Sequence, residues 1–138
     1  MGALAYRWDG AEAGLVFGFE KEAYDTETII EFLEDLHHHF AGEKMTLIWD
    51  RLPSHRSAEM IEWIAQQRSW LMVEYLPPYG HDLNPIELLW GNMKGSELAN
   101  LCPKTIDEAR QAAESALERA GVDNQLCFNF LEHTGLSL

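Results

Sequence analysis

Met45-Thr46-Leu47-Ile48-Trp49-Asp50-Arg51-Leu52-Pro53-Ser54-His55-Arg56-Ser57 is the stretch on which the fold turns. Met45 to Trp49 is a short, mostly apolar run with Lys44 before it and Asp50 after it, the pattern of a strand buried on both faces. Leu71 to Tyr75 is a second run of the same kind. Between them Ser57 is placed to cap a helix whose buried face would hold Met60, Ile61 and Ile64. Strand, helix and strand in that order predict a crossover between parallel neighbours, and hence an α/β fold.

Working outward, Leu76-Pro77-Pro78-Tyr79-Gly80-His81-Asp82-Leu83 is too rich in proline and glycine for a regular element and reads as a fixed loop. A helix then opens with Asn84 as its cap and Pro85 at its first position, where a missing N–H costs nothing. Its apolar stripe is Ile86, Leu89, Trp90 and Met93. Thr105 with Glu108 is a capping-box pair for a further helix over 109–120, with Gly121 in the place of a C-terminal cap. The tail from Gln125 to Leu131 is apolar enough for a short last helix. Upstream, Gly2 to Trp8 and Leu15 to Phe19, separated by Asp9 and Gly10, read as a hairpin. Asp25 or Thr26 caps a helix carrying Ile29, Phe32, Leu33, Leu36 and Phe40 and stopped by Gly42. No repeat, linker or low-complexity segment interrupts the chain, so residues 1–138 read as a single domain.

The net charge of -13 weighs against polyanion binding, since phosphate affinity rests on Lys and Arg. The charge is unevenly spread. Residues 1–43 hold ten acids against two bases and residues 95–138 seven against three, whereas residues 44–94 hold six acids against five bases. That middle segment is the one suited to face DNA. No apolar run is long enough for a membrane span or a signal-peptide core, which points to the cytoplasm. Cys102 and Cys127 lack metal-ligand spacing and read as two small buried thiols in a reducing compartment.

Asp50 directly follows a strand, and ligands of open α/β sheets bind at the carboxyl ends of strands. Glu87 lies in the first turn of the helix after the next strand and its loop, so both carboxylates are expected at one sheet edge. Oxygen ligands of this kind suit Mg²⁺ or Mn²⁺. On spacing alone Asp50 is equally a turn residue before Pro53, and Glu87 equally a capping-box acid three residues after Asn84.

The stretch from Leu47 to Ser57, followed by Leu76 to Pro85 and Ile86-Glu87-Leu88-Leu89-Trp90, resembles the catalytic domain of DDE-superfamily transposases, mariner-like and related bacterial insertion-sequence enzymes. The resemblance implies a ribonuclease H-like mixed sheet flanked by helices on both faces. It implies that Asp50 and Glu87, with 36 residues between them, are the second and third catalytic acids and metal ligands. It further implies DNA transposition, in which activated water and then a DNA 3′-hydroxyl attack phosphodiester bonds in line. The family has Asn where this chain has Arg51, and Ser-Pro where it has Gly80-His81. The family's first acid lies on a strand upstream of the segment that opens this chain. Asp9, in a turn, does not replace it. The expectation is a domain lacking its usual first strand, inactive alone, binding transposon-end DNA weakly, and forming a homo-oligomer or pairing with a chain that supplies the strand. The alternatives are a non-catalytic remnant or split-transposase subunit acting by association, and a complete metal-dependent nuclease or phosphatase with its third ligand elsewhere in the chain.

His55 matches the histidine after the second acid and either touches substrate phosphate or ties the loop down. Arg51, Arg56 and Lys94 are the bases nearest the acids in sequence and the candidates to meet DNA. His37, His38 and His39 point about 100° apart on a helix and cannot share an ion, so they read as a solvated helix end. Trp49, Trp63, Trp70 and Trp90 read as core.

Overall fold

A computed structural model of the full chain describes residues 1–19, 24–97, 99 and 102–136, without the side chains of residues 81, 96 and 97. These residues cluster into two compact units, one of Met1 and Gly18–His81, the other of Gly2–Phe17 and Asp82–Leu138.

The first unit is built on the expected crossover. Strand β3, Met45–Trp49, and strand β4, Leu71–Tyr75, pair in parallel from Met45↔Leu71 to Trp49↔Tyr75. Helix α2, Ala58–Gln66, connects them and is capped by Ser57, whose Oγ accepts from the Met60 N–H at 3.1 Å. Helix α1, Thr26–His39, is capped by Asp25, which accepts from Thr28 N–H at 3.0 Å. That backbone bond, and then the Thr28 hydroxyl, hold the Asp25 carboxyl below its usual range. The Thr26 hydroxyl donates to Ser57 Oγ at 3.0 Å, linking the two helix starts. Ala41 and Gly42, both at positive φ, turn the chain out of α1, so the stop expected at Gly42 is present.

The core of this unit joins Ile29, Leu33 and Leu36 of α1 to Met60, Trp49, Trp70, Leu71 and Leu76. Three sequence expectations need correction here. The strands are not buried on both faces: Thr46, Ile48, Met72 and Glu74 are exposed, and only the alternate positions are covered. Ile61 is 55% exposed, because it lies about 100° around the helix from the fully buried Met60; Trp63 and Ile64 complete the inward face. His37 is half-buried rather than part of a fully solvated helix end. Its ring stacks on Trp70 at 3.8 Å and 5°, while His38 and His39 are exposed.

In the second unit strand β1, Gly2–Tyr6, and strand β2, Ala13–Phe17, form the expected hairpin. Its turn is held by Arg7 N–H on Glu12 O at 2.9 Å and by Gly10 at φ 69. Helix α3, Pro85–Asn92, starts at Asn84 as read and runs into a π-helical turn, Met93–Glu97. Helix α4, Ile106–Val122, follows, with Thr105 Oγ1 accepting from Glu108 N–H. Helix α5, Asn124–His133, ends the described fold. Leu89, Met93, Ala116, Leu117, Cys127, Phe130 and Leu131 form the core. Cys102, by contrast, is exposed rather than buried. The loop before α3 contains a one-turn 3-10 helix, His81–Leu83, where no regular element was expected; three residues free of proline suffice to close it.

Gly121 is not a cap. It lies inside α4, where a Cβ would meet Leu15 Cβ at 3.3 Å and Leu15 O at 3.4 Å, so glycine there lets the helix approach β2. Asp123 takes the boundary instead, ending α4 and capping α5 through its bond from Leu126 N–H at 2.9 Å. Tyr6 spans the unit: its hydroxyl donates to Cys127 O at 2.8 Å and its ring lies 5.7 Å from Phe128.

Two stability predictions follow from this packing. Gly121→Val should lower unfolding stability by about 1–3 kcal/mol through overpacking against Leu15. Gly91→Ala, in the same unit with nothing within 4 Å of its added Cβ, should raise it by roughly 0.5–1 kcal/mol. Urea titration of both variants measures the difference. Burial, and secondarily Cys127, push the Tyr6 hydroxyl far above its usual value. Below about pH 10, where a free tyrosine keeps its proton, this contribution is constant; above it the unfolded chain ionises first and stability falls as pH rises. Tyr6→Phe should flatten that alkaline loss, read from urea midpoints between about pH 9 and 11.

Candidate functional site

β3 delivers Asp50 at its carboxyl end, and the residues after it fold back on that carboxylate. Leu52 N–H donates to Asp50 Oδ1 at 3.0 Å, which bends the chain into a one-turn 3-10 helix, Pro53–Arg56, opened by proline. That turn, closed by His55 N–H on Leu52 O at 3.0 Å, returns His55 to Asp50. His55 Nδ1 then lies 2.8 Å from Asp50 Oδ1. The hydrogen bond of His55 Nδ1 is to the backbone Asp50 O at 3.4 Å, so Oδ1 accepts one hydrogen bond, from Leu52 N–H, and lies in ion-pair range of the imidazole, whereas Oδ2 has no hydrogen-bond partner among the described residues. The Asp50 side chain is 35% exposed and that of His55 16%.

His55 is itself constrained. Its ring stacks on Trp49 at 4.2 Å and 6°, and its carbonyl accepts from the Tyr75 hydroxyl at 2.8 Å. Tyr75 reaches it because the parallel register sets Tyr75 opposite Trp49. Arg51 is tied to the neighbouring strand end, its Nε donating to Leu76 O at 2.9 Å and its guanidinium 5.7 Å above the Tyr75 ring. Arg56 is exposed and makes no hydrogen bond or ion pair among the described residues.

Glu87 and Lys94 belong to the second unit. The Asn84 side chain accepts from Ile86 N–H at 3.4 Å, and Glu87 follows in the first turn of α3, near the positive end of the helix dipole. Its carboxylate is exposed and does not reach back to the Asn84 N–H, so the capping-box alternative is not realised among the described residues. Lys94 is exposed in the π-helical turn. Such turns are often associated with functional sites.

Among the described residues no group of three or more His, Cys, Asp or Glu side chains converges as a metal site. The donors present are hard oxygens: the open Oδ2 of Asp50 in one unit and the unengaged carboxylate of Glu87 in the other. That chemistry fits Mg²⁺ or Mn²⁺ rather than a soft ion. Sequence reasoning missed the Asp50–His55 contact and the part played by Tyr75. The signal for the first was Pro53, which starts a turn able to bring a residue five positions on back to Asp50. Nothing local marks Tyr75, whose place depends on strand register.

No described helix is long and apolar enough to cross a membrane. Comparison with curated proteins finds no match. The family model described as DDE superfamily endonuclease matches residues 10–110, a span that contains both Asp50 and Glu87. With most of its length in that match and a mixed α/β, ribonuclease H-like fold, the chain belongs to the DDE superfamily of endonucleases.

Proposed function

We propose that this chain is a transposase catalytic-domain part for metal-dependent DNA cleavage and strand transfer, with Asp50 and Glu87 as the carboxylates that hold Mg²⁺ or Mn²⁺. The observation that carries the reading is Asp50 at the carboxyl end of a parallel strand, its Oδ1 held by Leu52 N–H beside His55 and its Oδ2 without a partner among the described residues. When bound, a divalent cation supplies Lewis-acid stabilisation of phosphate oxygens and activation of water. Asp50 and Glu87 would bind it. Arg56 and Lys94, exposed, would meet DNA phosphates, and Arg51 would do so with its terminal nitrogens, since Nε is engaged by Leu76 O. The chain works in the cytoplasm, where Cys102 and Cys127 remain free thiols.

Two carboxylates make a weak clamp, and the net charge of -13 opposes DNA. The purified chain should therefore bind Mn²⁺ weakly and leave a supercoiled plasmid intact. Asp50→Ala and Glu87→Ala should each weaken Mn²⁺ binding by more than the roughly tenfold that changes outside the ligand shell produce. Mn²⁺-dependent nicking by the wild-type chain, lost in Asp50→Ala, would show instead that the site is catalytically sufficient.

A second reading, a split-transposase subunit or non-catalytic remnant that acts by association, is favoured by the strand edges. Met45 N–H donates to Trp70 O and Trp49 O accepts from Leu76 N–H, so the intervening Thr46 and Ile48 turn their backbone groups away from β4. No third strand pairs there: the described strands make two two-stranded sheets. Open edges with exposed apolar side chains such as Ile48 and Met72 invite another strand, from a second copy or from a chain that supplies it. A homodimer or larger species is expected in light scattering at micromolar concentration, with Ile48→Lys shifting it toward monomer. A wild-type monomer under those conditions removes self-association from this reading.

A further inference from the structure

We propose that His55 is a positioning residue for Asp50, fixing the carboxylate so that Oδ2 is the oxygen presented to a divalent cation. The inference rests on the reading of Asp50 as a metal ligand and names the residue that aims it. Leu52 N–H donates to Oδ1 at 3.0 Å, and His55 Nδ1, hydrogen-bonded to the backbone Asp50 O at 3.4 Å, lies 2.8 Å from the same Oδ1, so both neighbours of the carboxylate sit on one oxygen. Rotation of the carboxylate would break the Leu52 bond and take Oδ1 out of contact with His55, which leaves Oδ2 as the oxygen without a partner. His55 is rigid enough to do this. Its ring lies flat on Trp49, its carbonyl holds the Tyr75 hydroxyl, and its N–H bonds Leu52 O. It is also the inner member of the pair, 16% exposed against 35% for Asp50, so it backs the carboxylate and leaves the outer side open. Outer partners that orient a metal ligand in this way change metal affinity 10–100-fold when removed.

The competing account is that His55 merely neutralises Asp50, and it makes the opposite forecast: removing the imidazole would free the carboxylate and tighten cation binding. Mn²⁺ titration of the full chain, followed by the paramagnetic resonance of free Mn²⁺, separates the two. His55→Phe keeps an aromatic ring on Trp49 and removes the donor. His55→Asn places an amide N–H near the Nδ1 position, and His55→Gln places one near Nε2. Positioning predicts Mn²⁺ affinity about tenfold weaker in His55→Phe, largely restored in His55→Asn and not in His55→Gln. A purely structural role predicts the reverse order, since Phe retains the stack that Asn lacks. Binding in His55→Phe as tight as in the wild type, with Asp50→Ala abolishing it, overturns the positioning role alone. Undiminished binding in Asp50→Ala overturns the ligand reading and this inference with it. Should His55→Phe fail to fold by circular dichroism, the order of Asn and Gln decides: Asn above Gln supports positioning, and equal affinities overturn it.

Discussion

The parallel ladder between β3 and β4, closed at one end by Met45 N–H on Trp70 O at 2.7 Å and at the other by Leu76 N–H on Trp49 O at 2.8 Å, sets the geometry of everything around Asp50. Because Trp49 faces Tyr75 in this register, the phenol can reach His55 O, and because Leu76 leaves beside Asp50, Arg51 can reach its carbonyl. A slip of one residue would turn Tyr75 and Trp49 to opposite faces of the pair. The hydrogen bond to His55, the stack beneath its ring and the tie through Arg51 would then be lost together. The turn after Asp50 is thus closed by its own local bonds, and strand register supplies the partners that brace it.

That dependence explains what was legible in the sequence. Caps announce themselves locally: Asp25, Ser57, Asn84 and Thr105 all accept the backbone N–H that their positions imply, each worth about 1 kcal/mol. The crossover was equally readable, since two apolar runs with one helical period between them have few alternatives. Close approach is not local. Gly121 has the sequence context of a helix end, yet it is retained within α4 by Leu15, more than a hundred positions earlier. Tyr75 and His37 were opaque for the same reason, since each is placed by a partner on another element. Placement after the strands makes Asp50 and Glu87 candidates, the spacing alone leaves a turn residue and a capping acid as live alternatives, and the motif resemblance is what favours the catalytic reading. For Glu87 the capping alternative is not realised among the described residues; Asp50 does serve its turn through Oδ1 and still retains an open oxygen.

Two-stranded sheets are marginal on their own, so the helices must carry most of the stability in each unit. In the first, α1 and α2 contribute Ile29, Leu33, Leu36 and Met60 to the covered side of the strand pair, and the exposed side presents Ile48 and Met72. An open edge and an apolar face on the same pair constrain function, because both favour addition of further structure there. Charge acts in the opposite sense. With ten acids in residues 1–43, self-repulsion limits uncontrolled association while the nearly balanced segment 44–94 keeps its bases available to a polyanion.

Trp49 shows how the site tolerates a local defect. Its indole Nε1 is buried with no hydrogen-bond partner among the described residues, a loss of about 1–3 kcal/mol. Stacking against His55 returns only about 0.5–1.5 kcal/mol, which alone would leave the arrangement unfavourable. Burial decides the balance. A tryptophan that removes 150–250 Å² from water contributes about 4–6 kcal/mol, enough to hold the ring in place despite the orphaned N–H. The platform under His55 is therefore anchored by apolar burial, which does not titrate with pH. The polar contacts above it, from Leu52 N–H and His55 Nδ1 to Asp50 Oδ1, are left to set orientation, and they leave Oδ2 without a partner among the described residues.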